Sequence, residues 1–320
     1  MPSQPASTSH VSPCVAAIDI GSNTIKLLVA RNGLAGVETV HHAVQECRIA
    51  TGISDAHPRL SEDAMRHGID AVLALLNQAR ENEAQRIHIA ATSAVRDAQN
   101  GPEFASRIES ESGVPVHILS GEEEAQTIAL ALAHDPGLKA MQRFTHLDLG
   151  GGSLEYNDIE SGNLRQSVSL PLGAVRLTEQ WVTDPKGAFT AQDADRIANH
   201  VKSTLKQTGL VQNPPGIPIV YTGGSVTIAR ALVQGLPIQA KATGSPIVKQ
   251  QQLHHLLAEL APRSFEQRMQ FKHLPANRAD VVCAALQIIL STLEYFNCAQ
   301  LQHSRFSLRH GICVKLLELH

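Results

Sequence analysis

The sequence predicts a two-lobed α/β protein whose second half repeats the first, and three observations carry that expectation. Strand-like and helix-like segments alternate along the chain, the pattern of helices packed on a sheet. A glycine turn between two strand-like runs occurs twice, opened by Asp19 in one copy and by Asp148, 129 positions later, in the other. The 320 residues amount to about two domains, and an apolar content of 43% lets each bury a core.

Taken in order, residues 15–20 form a short apolar run, Gly21-Ser22-Asn23-Thr24 breaks it, and residues 25–30 resume it up to Asn32-Gly33, which reads as strand, turn, strand. Ser61 is placed to cap a helix whose apolar positions Met65, Ile69, Val72, Leu73 and Leu76 recur at helical spacing. Residues 86–91 read as a strand, Pro102 opens a helix that Gly113 closes, and residues 115–119 read as another strand. Ser120 starts a helix that runs to about Ala133. Residues 145–149, the turn Gly150-Gly151-Gly152-Ser153 and residues 154–159 then repeat strand, turn, strand. A helix from Thr190, a strand at 217–221, a helix opened by Gly223-Gly224-Ser225, and helices near 249–260 and 276–296 complete the pattern. The expected division is a tail at 1–11, a first lobe at 12–132 joined by a terminal helix at 309–320, and a second lobe at 133–308, with a cleft between the lobes.

Composition narrows the function. With 27 basic against 30 acidic residues the formal charge is −3, which argues against nucleic acid or an acidic membrane held by a broad basic face. The 7 Phe, 3 Tyr and 1 Trp are too few for an aromatic binding surface. The most apolar stretch, 281–290, is interrupted by Gln287 and falls short of the ~20 residues that cross a bilayer. The first thirteen residues have no basic start and no apolar run, so they read as a tail and not a signal peptide, and the cytoplasm is the expected compartment. Five widely spaced cysteines (14, 47, 283, 298, 313) predict buried thiols and neither a disulfide framework nor a zinc knuckle. The pairs His41-His42 and His254-His255 are adjacent residues, which point apart on any regular element and so do not chelate.

Three kinds of segment carry chemistry. Each Asp-x-Gly turn offers backbone N–H groups at a strand end with no bulky side chain in the way, so a phosphate can approach the main chain, and the neighbouring Asp can hold a cation drawn by that phosphate. Asp19 with Gly21, Ser22 and Asn23 forms the first such device, and Asp148 with Gly150, Gly151, Gly152 and Ser153 the second; Gly223, Gly224 and Ser225 add a third glycine turn. In Ser120-Gly121-Glu122-Glu123-Glu124-Ala125, Ser120 and Glu123 make a capping box, which accounts for Glu123. On a helical wheel Glu122 and Glu124 lie at the two borders of the apolar arc, and geometry leaves both open as a carboxylate aimed into an interface. Thr92-Ser93-Ala94-Val95-Arg96 follows a strand and sets the Ser93 hydroxyl and the Arg96 guanidinium where α/β sheets bind ligands.

Taken together, Asp19-Ile-Gly-Ser-Asn-Thr24, Ala91-Thr-Ser-Ala-Val-Arg96, Ser120-Gly-Glu-Glu-Glu-Ala125, Asp148-Leu-Gly-Gly-Gly-Ser-Leu-Glu155, Leu170-Pro-Leu-Gly-Ala-Val-Arg176, Thr222-Gly-Gly-Ser225, Arg278-Ala-Asp280 and Leu308-Arg309-His-Gly311 resemble, in order, the exopolyphosphatase and guanosine pentaphosphate phosphohydrolase family. Leu154 and Tyr156 depart from it, standing where many members have Thr and an aliphatic residue. The resemblance implies duplicated ribonuclease H-like domains of the actin-like ATPase superfamily, shared with sugar kinases and heat-shock chaperones, in a short two-domain form. It implies that Glu124, not Glu122, activates water, that the glycine turns bind phosphates, that Arg96 binds phosphate, and that Asp148 and Glu155 go with a divalent metal, Mg²⁺. The reaction it implies is release of orthophosphate from the end of inorganic polyphosphate, with guanosine pentaphosphate as the alternative substrate, the terminal phosphoryl group lying between the two turns. A small-molecule kinase and a non-catalytic polyphosphate or alarmone binder are the other classes, and a homodimer is left open. Lys26, Arg48, Arg96 and Arg176 are the expected basic path for a phosphate chain.

Overall fold

The computed structural model describes residues 12–34, 36–50, 57–210, 216–238 and 244–319. The first sheet comes from β1 (Cys14–Ile20), β2 (Thr24–Gly33), β3 (Gly36–Glu46), β4 (Ala84–Ala91) and β5 (Val116–Ile118), with α1 (Glu62–Glu81), α2 (Ser93–Asp97) and α3 (Gly101–Ser112) between its later strands. Its order is β3-β2-β1-β4-β5, antiparallel from β3 to β1 and parallel from β1 to β5. Helix α4 (Gly121–Ala133) leads to the second set: β6 (Arg143–Leu149), β7 (Leu154–Glu160), β8 (Asn163–Leu170), α5 (Ala174–Trp181), α6 (Ala191–Gln207), β9 (Ile219–Thr222), α7 (Gly224–Gln234), β10 (Ile247–Lys249), α8 (Gln250–Leu260), α9 (Phe265–Met269), α10 (Val282–Tyr295), β11 (Gln300–His303) and α11 (Leu308–Leu317). This sheet runs β10-β11-β9-β6-β7-β8. Its run β8-β7-β6-β9-β11 has the strand directions of β3-β2-β1-β4-β5, so the duplication extends from the turns to the topology. The fold is the duplicated ribonuclease H-like one that the sequence predicts.

Burial explains the layers. Val15, Ala16, Ala17, Ile18 and Ile20 are all buried, as a central strand covered on both faces requires. Ala16, Ile18 and Ile20 pack with Val72, Leu75, Leu76 and Phe104 of α1 and α3. Val15 and Ala17 join a different core, with Ile128, Ala129 and Leu132 of α4, Leu308 and Ile312 of α11, and Phe144, Ile159 and Val220 from the second sheet. Helices α4 and α11 therefore lie where the two sheets share a core, and the second sheet's other face is filled by Leu147, Leu149, Ile219 and Tyr221 against α6, α8 and α10.

The structure departs from the sequence reading in several places. In α1 the buried stripe is Met65, Ile69, Val72, Leu75, Leu76 and Ala79, while Leu73 is half-buried at its border. Strands β3 and β8 are additional; each is an outer strand with mostly exposed or half-exposed side chains, so the apolar alternation that marks a strand is weak. Strands β10 and β11 and helix α5 are likewise additional, and the two strands hold only 3 and 4 residues. Residues 276–278 make a single 3₁₀ turn and α10 starts at Val282, because this segment turns toward Arg48, which bonds the Asn277 carbonyl and the Asp280 carboxylate. All five cysteines are free thiols, but only Cys283 and Cys313 are buried; Cys14, Cys47 and Cys298 are half-buried. Among the described residues no helix is long and apolar enough to cross a membrane.

Candidate active site

The two glycine turns are the same construction. Gly21 N–H donates to the Thr24 carbonyl at 3.1 Å, and Gly150 N–H to the Ser153 carbonyl at 3.0 Å. They also meet: a Cβ on Gly151 would stand 2.9 Å from the Cβ of Ser22. In this arrangement the turns are in direct contact, so a phosphoryl group between them would require them to part. Ser22 shares a buried hydrogen bond of 3.2 Å with Ser93, and the Asn23 carboxamide oxygen accepts from Arg278 at 2.6 Å. Gly150, Gly151 and Gly152 turn their carbonyls to the start of α5 and to Arg176, whose Nε reaches the Gly152 oxygen at 2.8 Å. The third turn closes on the same place: Gly223 has φ +104°, and a Cβ there would lie 2.7 Å from Asp148 Oδ1. Gly224 and Ser225 begin α7 beside it.

The carboxylates follow from register. Asp19 pairs with Lys26 across β1 and β2, and Asp148 with Glu155 across β6 and β7. Lys26 in the first half is thus the positional counterpart of Glu155 in the second, and its Nζ lies 3.9 Å from Asp19. Of the carboxylates on α4, Glu122 is exposed and accepts from Gln126, Glu123 completes the capping box on Ser120, and Glu124 is buried. Packing thereby separates the two borders of the helical wheel. Arg96 Nη1 holds Glu124 Oε2 at 2.9 Å and donates to the Leu119 carbonyl at 3.0 Å.

Burial sets the protonation of this cluster. It pushes Glu124 up to about 7, against the Arg96 hydrogen bond and charge and with help from Asp19 and Asp148. The enclosure produces this rise before any anionic substrate adds its charge. Enclosure also moves Asp148 up to about 6, opposed by Lys26 and by a hydrogen bond from Thr222. Glu155 is driven well above the carboxylate range by burial and by the charges of Glu124 and Asp148, although Ser153 and Ser169 donate to it. Lys26 is lowered, chiefly by its own desolvation.

Among the described residues no three His, Cys, Asp or Glu side chains assemble into a metal cage. Asp19, Asp148 and Glu155 are all-oxygen donors, the chemistry that suits a hard divalent cation. The basic side chains all have partners: Lys26 with Asp19, Arg96 with Glu124, Arg48 with Asp280 at 2.8 Å and Arg176 with Asp97 at 2.8 Å. A phosphate chain would have to take them from carboxylates. Sequence reasoning missed the roles of two residues inside stretches it had singled out. Thr222, just before the third turn, serves Asp148, and Arg309 of α11 donates to the Leu27 carbonyl at 2.9 Å with its charge felt beside Asp19 and Lys26.

Fold and turns together define a protein of two duplicated α/β lobes, each carrying a strand-ending Asp and a glycine turn. Residues 28–320 match the model of the Ppx/GppA phosphatase family, and the chain belongs to that family. It is 28% identical over 309 residues to the guanosine-5'-triphosphate,3'-diphosphate pyrophosphatase of Vibrio cholerae, covering 96% of this chain and 60% of that relative. It is 26% identical over 310 residues to exopolyphosphatase 1 of Mycobacterium bovis, covering 94% of this chain and 87% of the relative. Among solved structures, the Ppx/GppA family member of Aquifex aeolicus superposes with a TM-score of 0.79 at 28% identity, covering 96% of this chain and 99% of that one. The chain thus spans about 60% of the length of the Vibrio relatives it matches.

Proposed function

We propose that this protein is a phosphoanhydride hydrolase that releases orthophosphate from the end of inorganic polyphosphate, with guanosine pentaphosphate as the second reading. The observation that carries it is the buried Glu124 with its protonation raised to about 7, held by Arg96 and close enough to Asp19 and Asp148 to feel their charge. A carboxylate poised near neutrality can take a proton from water, which a free carboxylate does poorly. In this reading the lobes, 12–132 with 309–320 and 133–308, part to admit the phosphate chain end at the two turns. Arg96 then turns its fork toward the phosphoryl oxygens, backbone N–H groups of the turns share that charge, and Glu124 deprotonates the attacking water. Mg²⁺ held by one or two of Asp148, Glu155 and Asp19 would neutralise charge on the transferring group.

Polyphosphate is preferred because Lys26, Arg48, Arg96 and Arg176 give a chain several sites at which phosphate can replace a carboxylate partner, more than a nucleotide occupies. The name of the Mycobacterium relative supports it; the names of the Vibrio relatives support guanosine pentaphosphate. Phosphate release from long and short polyphosphate, guanosine pentaphosphate and ATP, each with Mg²⁺ and over a range of salt, tests the choice. Polyphosphate should be the best substrate, with a KM that rises more steeply with salt because more counterions are displaced. Better catalytic efficiency on guanosine pentaphosphate with no steeper salt dependence for polyphosphate reverses the order, and ATP-dependent transfer to an acceptor without phosphate release makes the protein a kinase.

Two predictions arise here. The rate at limiting substrate should climb with pH along a limb near 7, since only ionised Glu124 accepts the proton and burial holds its protonation there; a limb near the ordinary 4.5 would remove Glu124 as the base. Arg96→Lys keeps the charge but loses the planar fork that can clasp two phosphoryl oxygens at once while Nη1 stays on the Leu119 carbonyl, so turnover should fall by at least about tenfold. A fully active Lys variant beside a dead Ala variant would show that charge alone suffices.

A further inference from the structure

We propose that His146 is a positioning residue for Asp148, acting through Thr222 along a one-way hydrogen-bond chain that starts at Asn157. The proposal rests on the reading of Asp148 as a site carboxylate. Nothing in the proposed chemistry uses His146, yet it is fully buried in β6 with both ring nitrogens engaged. Its Nε2 lies 2.9 Å from Thr222 Oγ1 and its Nδ1 lies 3.0 Å from Asn157 Nδ2. Residues 146 and 148 share a face of the strand. Register sets Asn157 opposite His146 and Thr222 opposite Asp148, so four polar side chains form a line in a sheet whose neighbouring contacts are apolar.

The direction of the chain follows from which groups can donate. Asn157 Nδ2 faces the ring's Nδ1, so that nitrogen accepts and the ring proton stands on Nε2. Nε2 then donates to the Thr222 oxygen, which leaves the single hydroxyl proton of Thr222 to turn toward Asp148, its partner across β6 and β9. The opposite amide orientation would put an oxygen on Nδ1, move the ring proton to that nitrogen, and make Thr222 donate to His146 in place of Asp148.

The Asn157 amide favours the first polarity. With Nδ2 on the ring, Oδ1 is buried without a partner. Orphaned acceptors are tolerated better than orphaned donors, and turning the amide would orphan its N–H₂. The arrangement thus leaves one acceptor unsatisfied and keeps a hydroxyl proton on Asp148, which fixes the carboxylate beside Gly223, where a Cβ would collide with its Oδ1.

The test reads the tautomer directly in the full chain, without substrate or metal. Long-range ¹⁵N–¹H spectra of the ¹⁵N-histidine-labelled protein, with His146 assigned by His146→Phe, should show a proton on Nε2 and none on Nδ1. The functional arm compares the Mg²⁺ concentration for half-maximal phosphate release. Thr222→Val, which keeps the shape, should raise it by roughly 10- to 100-fold. Thr222→Ser should restore it, and His146→Phe should add little in the Thr222→Val background because both act through one contact. A proton on Nδ1, a Thr222→Val variant indistinguishable from wild type, or losses that simply add would overturn the proposal. If the wild-type protein releases no phosphate from any substrate, the hydrolase reading falls, and the tautomer alone still decides the hydrogen-bond chain.

Discussion

Glu124→Gln should lower turnover by about two to four orders of magnitude while KM stays near the wild-type value. The amide keeps the shape of the side chain and can still accept from Arg96, so the helix start and the arginine remain in place while the proton acceptor is lost. Glu123→Gln is the control one residue away: its carboxylate accepts from Ser120 N–H at 2.8 Å, and its loss should weaken the start of α4 with turnover little changed. Steady-state kinetics of the two variants decides the assignment, since equal losses at both positions would mean that the segment acts through helix stability. Thermal unfolding adds a second check with a definite sign. A carboxyl group whose protonation is raised in the folded state binds its proton more tightly there than in the unfolded chain, so ionising it costs stability between its ordinary 4.5 and about 7. Relative to Glu124→Gln, the wild type should therefore lose stability as pH rises through that window and hold a constant deficit above it.

Gly223→Ala should damage both fold and turnover. The residue has φ +104°, and the added Cβ would lie 2.5 Å from the Leu149 carbonyl oxygen and 2.7 Å from Asp148 Oδ1. Strain of this kind costs about 1–3 kcal/mol before any clash is counted, and the clash falls on a backbone atom and on the carboxylate that the site requires. Gly235→Ala is the comparison: its φ is +63° and a Cβ there meets nothing within 4 Å, so it should cost about 1 kcal/mol and leave turnover unchanged. Melting temperatures and turnover measured together separate the two, and a Gly223→Ala enzyme with wild-type turnover would mean that Asp148 has no role at that place.

What could be read in the sequence and what could not divide along a physical line. The two turns were legible because backbone geometry forces small residues at fixed offsets from a strand-ending Asp, and the capping box of α4 because it is a contact three residues long. The choice between Glu122 and Glu124 was not, since both border the apolar arc and only packing against the second sheet buries one of them. The outer strands β3 and β8 were missed because water covers one of their faces and leaves no strong alternation. The partners of the basic side chains were also hidden. Arg48 meets Asp280 and Arg176 meets Asp97 only because the halves of the chain lie together, and no local pattern encodes a pair so far apart. The Asp19–Lys26 and Asp148–Glu155 registers are intermediate: the offset is the same in both copies, but the opposite charges become meaningful only once strand pairing sets them face to face.

The most direct measurement of the central claim is hydrolysis of polyphosphate in ¹⁸O-enriched water with Mg²⁺, followed by mass analysis of the released phosphate. Attack by a water that Glu124 deprotonates predicts one solvent oxygen in every orthophosphate released, none in the remaining chain beyond random exchange, and loss of labelled product in Glu124→Gln. Orthophosphate free of solvent oxygen, or phosphoryl groups recovered on an acceptor hydroxyl, would contradict it.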